Sequence, residues 1–259
     1  MTQTLMPTGF DLTYVAMSFL LSAVGAFVAL TASAGIVGRG RPLNYINVLA
    51  SGLALGGIGI WSMHFIGMLA LRVQMGIGYA MIETLASLVL AVAGSSLALL
   101  WVARNPNSPG HLIGAGAVLG VAVCGMHYLG MYGMRFPGFF NWSAALVAAS
   151  VAIAWVASTA ALFLAFAVRG MLARLGASLV MAAAVCAMHY TGMAAADFIC
   201  TSATPGQFPR GFGVVSALDL PVLVCILALG MAFVISVDQI IQRVGPQQRL
   251  PRPARAGQR

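Results

Sequence analysis

Between residues 12 and 240 the chain is a string of apolar runs, broken only by short segments carrying Arg, Pro or Gly. An apolar run of about twenty residues crosses the hydrocarbon core of a bilayer as a helix. Lipid offers no partner to a free backbone N–H or C=O, so the helix must satisfy its own. The spans are predicted at 12–37, 44–71, 78–103, 111–134, 143–168, 176–197 and 217–240. With 61% hydrophobic and 7% charged residues, and a mean hydropathy of +0.96, no polar surface is left to cover soluble domains. The expected fold class is an all-α membrane protein with seven transmembrane helices.

Charge reports topology. All thirteen basic residues are Arg, against five acids, and the net +8 is concentrated toward the C-terminus rather than in a patch able to follow a nucleic-acid backbone. No nucleic-acid partner is expected; the partner is the lipid bilayer. Placing the N-terminus outside puts Arg39, Arg41, Arg104, Arg169 and Arg174 inside with Arg243, Arg249, Arg252, Arg255 and Arg259, leaving Arg72, Arg135 and Arg210 outside. The positive-inside rule therefore predicts an outer N-terminus and a cytoplasmic C-terminus in a bacterial inner membrane, with half of the inner count contributed by the tail. Residues 1–242 are expected to form the membrane domain and 243–259 a basic, Pro/Arg-rich, disordered tail. Ala32-Ser33-Ala34 resembles a cleavage triplet, but the first apolar stretch is too long for a signal-peptide core and is expected to stay.

One octapeptide is written three times: WSMHFIGM at 61–68, CGMHYLGM at 124–131 and CAMHYTGM at 186–193. The histidines fall at 64, 127 and 189, intervals of 63 and 62 residues, while Arg39, Arg104 and Arg169 recur every 65 residues. The period covers a two-helix hairpin, so the organisation is three tandem hairpin repeats plus a seventh helix. Two spans per period return the chain to the same membrane face, which places all three motifs at one depth whichever way the protein is inserted. Gly52-x-x-x-Gly56 and Gly116-x-x-x-Gly120 allow close backbone approach and make spans two, four and six the expected inner ring. Span seven, without the motif, is expected to be a packing helix.

On a helix, residues three and four apart share a face. His64 thus stands with Met68, His127 with Met131 and His189 with Met193, and in the later copies Cys124 and Cys186 lie on the same stripe. Met63, Met126 and Met188 point about 100° away and reach the site only if the helix ends turn toward one another. Neutral imidazole and thioether ligands, with or without thiolate, favour copper, above all Cu(I); zinc is the alternative if the cysteines ligate. Magnesium and calcium are disfavoured, because Glu83 and the four aspartates form no repeated oxygen cage. The competing reading of the same residues is a hydrogen-bonded structural core with packed methionines. His111, outside the repeat, is read as interfacial. Arg72, Arg135 and Asp197, each eight residues past a motif histidine, are read either as a charged lid or as solvated span ends.

The thrice-repeated Met-His-Phe/Tyr followed by Gly-Met, on alternate spans between residues 10 and 240, resembles the MHYT domain, a bacterial integral-membrane sensory module; only Met188-His189-Tyr190-Thr191 spells the letters. The resemblance implies a copper site built from the motif Met, His and Cys residues near the outer face. It also implies sensing of oxygen, carbon monoxide or nitric oxide and a cytoplasmic signalling output, which in many relatives follows the domain; the tail here is too short to fold as one, so the output is expected either in a separate cytoplasmic partner or in a longer chain from which this one was cut.

Three functions are compatible with these residues. The first is a copper-dependent sensor of a diatomic gas or of copper itself. The second is a copper-handling or delivery protein; a path across the membrane would need ligands at several depths, whereas delivery at the outer face would not. The third is a non-covalent haem-binding redox protein, the chain having no CxxCH attachment sequence. No catalytic constellation is discernible, so no enzyme is expected.

Overall fold

A computed structural model describes residues 3–38, 42–209 and 211–244. Arg39, Arg41, Arg210 and the tail from 245 onward lie outside the described residues. Seven helices are long and apolar enough to cross a membrane: α1 (Leu12–Ser33), α2 (Tyr45–Leu69), α3 (Met81–Arg104), α4 (Pro109–Tyr132), α5 (Ala144–Ala167), α6 (Met171–Ala194) and α7 (Leu220–Val244). Local chemistry sets several starts. The carboxylate of Asp11 accepts from the Thr13 N–H, Asn44 caps α2, and Ser108 caps α4 with Pro109 in its first turn. Gly170, at φ +84°, turns the chain from α5 into α6, a conformation that favours glycine.

Three boundaries depart from the sequence reading by four residues or more. Helix α1 ends at Ser33, α7 runs on to Val244, and α6 begins at Met171, which brings Arg174 inside the helix.

Helices α1 to α6 pack in chain order around a common axis, and α1 closes the ring by lying against both α2 and α6. Helix α7 stands outside the ring on α2, so 83% of the most apolar window of α2 is buried, against 22–50% in the other six helices. The glycine stripes act differently from the expectation that they hold an inner ring together. A Cβ on Gly52 or Gly56 would collide with Ser96 or the Ala91 backbone of α3, and one on Gly116 or Gly120 would press on Thr159 or Trp155 of α5. These close approaches run from α2 to α3 and from α4 to α5, and Gly25 of α1 presses in the same way on the Gly59 backbone of α2.

Along the axis the even helices meet through side chains in pseudo-threefold layers. Below the histidines, one turn back, lie Ile60, Val123 and Val185, then Leu55, Leu119 and Met181. These six residues line an apolar cavity of about 20 Å³, enclosed on one side by Ala154, Ala157, Ser158 and Ala161 of α5.

The helix-only expectation omits short strands. β1 (Thr4–Leu5), β2 (Gly9–Phe10), β3 (Leu71–Arg72), β4 (Gly78–Ala80), β5 (Met134–Arg135), β6 (Gly138–Trp142), β7 (Ala196–Cys200) and β8 (Val214–Ser216) pair as β1-β7-β6, β2-β3 and β5-β4-β8. Every pair is antiparallel, with Gly9 opposite Arg72, Gly78 opposite Arg135 and Phe140 opposite Phe198. All belong to segments before α1 or after an even helix, so they lie on the motif face and cover it. Tyr79, Phe198 and Met134 are buried beneath them.

Gly56→Ala should lower stability by about 1–3 kcal/mol, because its Cβ meets a backbone carbonyl that cannot turn aside. Gly176→Ala, with open space around it, should be neutral or stabilising by up to about 1 kcal/mol. Thermal unfolding in detergent compares the two; equal effects would mean the α2–α3 crossing is looser than described.

Candidate metal centre

His64, His127 and His189, one from each of α2, α4 and α6, converge on the axis and are buried. The contacts are made by one nitrogen of each ring: Nδ1 of His64 lies 3.1 Å from Nδ1 of His189 and 3.2 Å from Nδ1 of His127. The ring centroids are 4.9–5.2 Å apart and the rings stand nearly perpendicular to one another.

The opposite edges are held by glycine. The motif glycine three residues after each histidine leaves room, as the sequence suggests, but for the imidazole of a neighbouring copy. A Cβ on Gly130 would collide with Nε2 of His64, one on Gly192 with His127, and one on Gly67 with His189. The three motifs therefore interlock in a cycle, α2 over α4, α4 over α6 and α6 over α2.

Proton accounting makes this cluster unusual. A neutral imidazole has one N–H and one lone pair. Three facing Nδ1 atoms cannot each donate and accept, and on the far edges Nε2 of His127 and of His189 faces the Gly192 and Gly67 backbone without a well-formed hydrogen bond. No choice of tautomers satisfies all six nitrogens, and buried polar groups left so are costly. A cation between the three Nδ1 atoms would take three lone pairs at once and leave every proton on Nε2. Bonds of about 2.0–2.1 Å from one point require N···N separations of about 3.3–3.6 Å, so the rings need withdraw by only a few tenths of an ångström. Among the described residues this is the group of His, Cys, Asp or Glu side chains able to hold a metal ion, and it contains no acid. The residues present fit a metal that accepts imidazole nitrogen.

The remaining candidate ligands lie on the same three helices. Met63, Met68, Met126, Met131, Met188 and Met193 are all buried, and Met188 borders the apolar cavity beneath the histidines. Cys124 and Cys186 are half-buried free thiols outside the metal-capable group, as is the buried Cys200 of β7, whose thiol faces the Ser202 carbonyl. His111 lies at the opposite end, its Nδ1 3.0 Å from the Ser108 hydroxyl. Arg72, Arg135 and Asp197 do not pair with one another. Arg72 binds Asp11 and Arg135 binds Glu83, each at 2.6 Å, and Asp197 is exposed in β7. The hydrogen bond from Arg72 holds the Asp11 carboxyl below its ordinary value of 3.8.

A ring of serines escapes the sequence reading. In α4 the Tyr128 hydroxyl lies 2.6 Å from that of Ser150 on α5, and in α6 the Tyr190 hydroxyl lies 2.9 Å from that of Ser18 on α1. Each serine already donates to the carbonyl three residues back, so the tyrosine is the donor. The first copy reaches the same end by another route. Phe65 has no hydroxyl, and Trp61, in the position of Cys124 and Cys186, donates its indole N–H to Ser87 of α3 at 3.1 Å. The 63-residue interval from Ser87 to Ser150 is the signal that could have found them. Tyr128 and Tyr190 pack edge-on beside their histidines at 4.9 and 4.7 Å, and Trp61 packs on Phe65, which stands edge-on to His64 at 4.8 Å, so these bonds help fix the imidazoles.

The family model described as a bacterial signalling protein N-terminal repeat, MHYT, matches residues 57–115, 120–178 and 183–249. The chain is 36% identical over 229 residues to the bifunctional diguanylate cyclase/cyclic di-GMP phosphodiesterase MucR of Pseudomonas aeruginosa, covering 86% of this chain and 33% of that protein. It is 30% identical over 205 residues to the signalling protein YkoW of Bacillus subtilis, covering 76% and 25%. It is 33% identical over 198 residues to the cyclic di-GMP phosphodiesterase NbdA of Pseudomonas aeruginosa, covering 74% and 25%. The chain spans a quarter to a third of the length of these curated relatives. No solved structure matches it. Each matched unit starts within a motif helix and continues through the next helix, so the third takes in α7. In space it is α1, not α7, that lies beside α6.

A double-mutant cycle on Tyr128→Phe and Ser150→Ala should give a coupling energy of about 1 kcal/mol, with each single change costing about 0.5–1.5 kcal/mol. Unfolding in detergent measures it; additive effects would remove the serine from the support of the site.

Proposed function

Because the chain belongs to the MHYT family of bacterial signalling proteins, we propose that it is a membrane-embedded sensor whose histidine centre holds copper. The observation that carries the reading is the convergence of three Nδ1 atoms, buried, without an acid and without tautomers that satisfy them. His64, His127 and His189 are the ligands. The rings are oriented by the glycine cycle and by the bonds of Tyr128, Tyr190 and Trp61, and the strands above exclude water. Buried methionine thioethers at 68, 131 and 193 keep the surroundings soft and neutral, which favours copper over harder ions. Zinc bound through cysteine is disfavoured by the position of Cys124 and Cys186 outside the group. Held by the three imidazoles, a copper ion would supply affinity for a small ligand such as oxygen, carbon monoxide or nitric oxide; change in copper loading is the alternative stimulus.

The relatives' names attach cyclic di-GMP synthesis and breakdown to two proteins that share this region. The output of this sensor is accordingly a cytoplasmic cyclic di-GMP enzyme, in the same chain or in a separate protein, reached across the inner membrane with the motif face outside.

The other readings have less support. Haem would need a porphyrin between two axial ligands, whereas these imidazoles touch one another. A transport path calls for ligands at several depths, and the metal-capable group among the described residues occupies one, which leaves delivery at the outer face as the form a copper-handling role would take.

Elemental analysis and a visible spectrum of detergent-purified protein from copper- and haem-supplemented cells test the proposal. The wild type should carry about one copper per chain, as a single three-imidazole site allows. A folded His64/His127/His189→Ala variant should carry none. Folded wild-type protein without metal would make the three histidines structural, and a Soret band would replace copper with haem.

A further inference from the structure

Helix α2 differs from the other two motif helices. Residues Leu53–Ser62 form a π-helix, while α4 and α6 are α-helical throughout. The cause is one extra residue: Gly56 precedes His64 by eight positions, but Gly120 precedes His127 by seven. Aligning the copies backward from the histidine pairs Ile60 with Val123 and Ile58 with Val121, and leaves Gly57 unmatched.

Gly57 is where α7 sits. A Cβ there would collide with the Met231 sulfur, and Ile58 is 2% exposed where its counterpart Val121 is 73% exposed. At the base of α2, the buried Oδ1 of Asn47 accepts from Nε2 of Gln239 at 2.9 Å and of Gln242 at 3.0 Å, both on α7. Asp238 accepts from the same two amides. At the top, the Ser62 hydroxyl donates to the Gly57 carbonyl, five residues back, immediately before Met63 and His64.

We propose that this π-helical stretch couples the histidine centre to α7, so that a displacement of His64 is delivered to the C-terminal helix through Gly57, Met231 and the Asn47 amide cluster. A π-helix carries a surplus residue that can be displaced along the helix or wound out, and each residue of register rotates the remainder of the helix by about 100°. His64 is the histidine whose movement meets such an element, and α2 is the helix on which α7 rests. For its trigger the proposal rests on the sensory reading of the centre; the coupling itself is mechanical and can be tested without it.

The test is hydrogen exchange by mass spectrometry on the full chain in detergent, metal-free and after addition of Cu(I), with bound copper measured in the same samples. Exchange in Leu53–Ser62 and in the last turns of α7 should change about tenfold on loading in the wild type, within the usual range of coupling between sites. Deletion of Gly57 should leave copper binding intact and abolish the response in α7. Met231→Ala, which leaves α2 unaltered, should do the same if the deletion does not fold. Loading without a response in wild-type α7, or an equal response in the variants, overturns the coupling and leaves the metal reading standing. If the wild type binds no copper the metal reading fails, and His64→Gln becomes the trigger. It must then alter α7 exchange in the Gly57-containing protein and not in the Gly57-deleted or Met231→Ala background, or the coupling fails as well.

Discussion

Three neutral imidazoles brought together by single nitrogens, out of reach of water, form an arrangement that hydrogen bonding alone cannot complete. Each ring is held on its far edge by the glycine of another repeat, so none can turn away to find a partner without opening the interlock. The interlock also explains the pseudo-threefold symmetry of the bundle. Helices α2, α4 and α6 must stand at equal depth and with equal rotation, and the odd helices are drawn in against their glycine faces to hold them there.

The helical part of this is legible in the sequence. The octapeptide and its 63- and 62-residue intervals define hairpins, and hairpins place the motifs on one face. That three histidines at one depth meet at bonding distance needs the packing, because spacing along a chain does not determine distances across it. Symmetry taken too simply misleads. Gly52 and Gly56 suggest contacts among the even helices, yet they serve the crossing with α3. The short strands are invisible in the sequence because two- to five-residue pairings carry little hydrophobic pattern, and form where antiparallel segments emerge side by side at the water-facing ends.

The copies also show how one structural requirement can be met by different side chains. Each motif helix anchors itself to a buried serine on the next helix around the ring, Ser87, Ser150 or Ser18. Two copies use the tyrosine after the histidine. The first uses an indole three residues before it, and so has no need of a hydroxyl at Phe65. A comparison restricted to the letters Met-His-Tyr would score the first copy as degenerate, although its anchoring bond is present.

Closure of the ring by α1 against α6 has a consequence for biogenesis. Helix α1 finds its last neighbour in the ring only when about 150 further residues have been made and inserted, a long-range pairing of the kind that forms slowly. Until then α1 and α2 face an open seam, and His64 waits in the bilayer without its two partners. A cell that inserts this protein must therefore keep the early hairpin from pairing wrongly during that interval. Any loading of the centre belongs to the end of insertion, after the sixth helix has shut the ring.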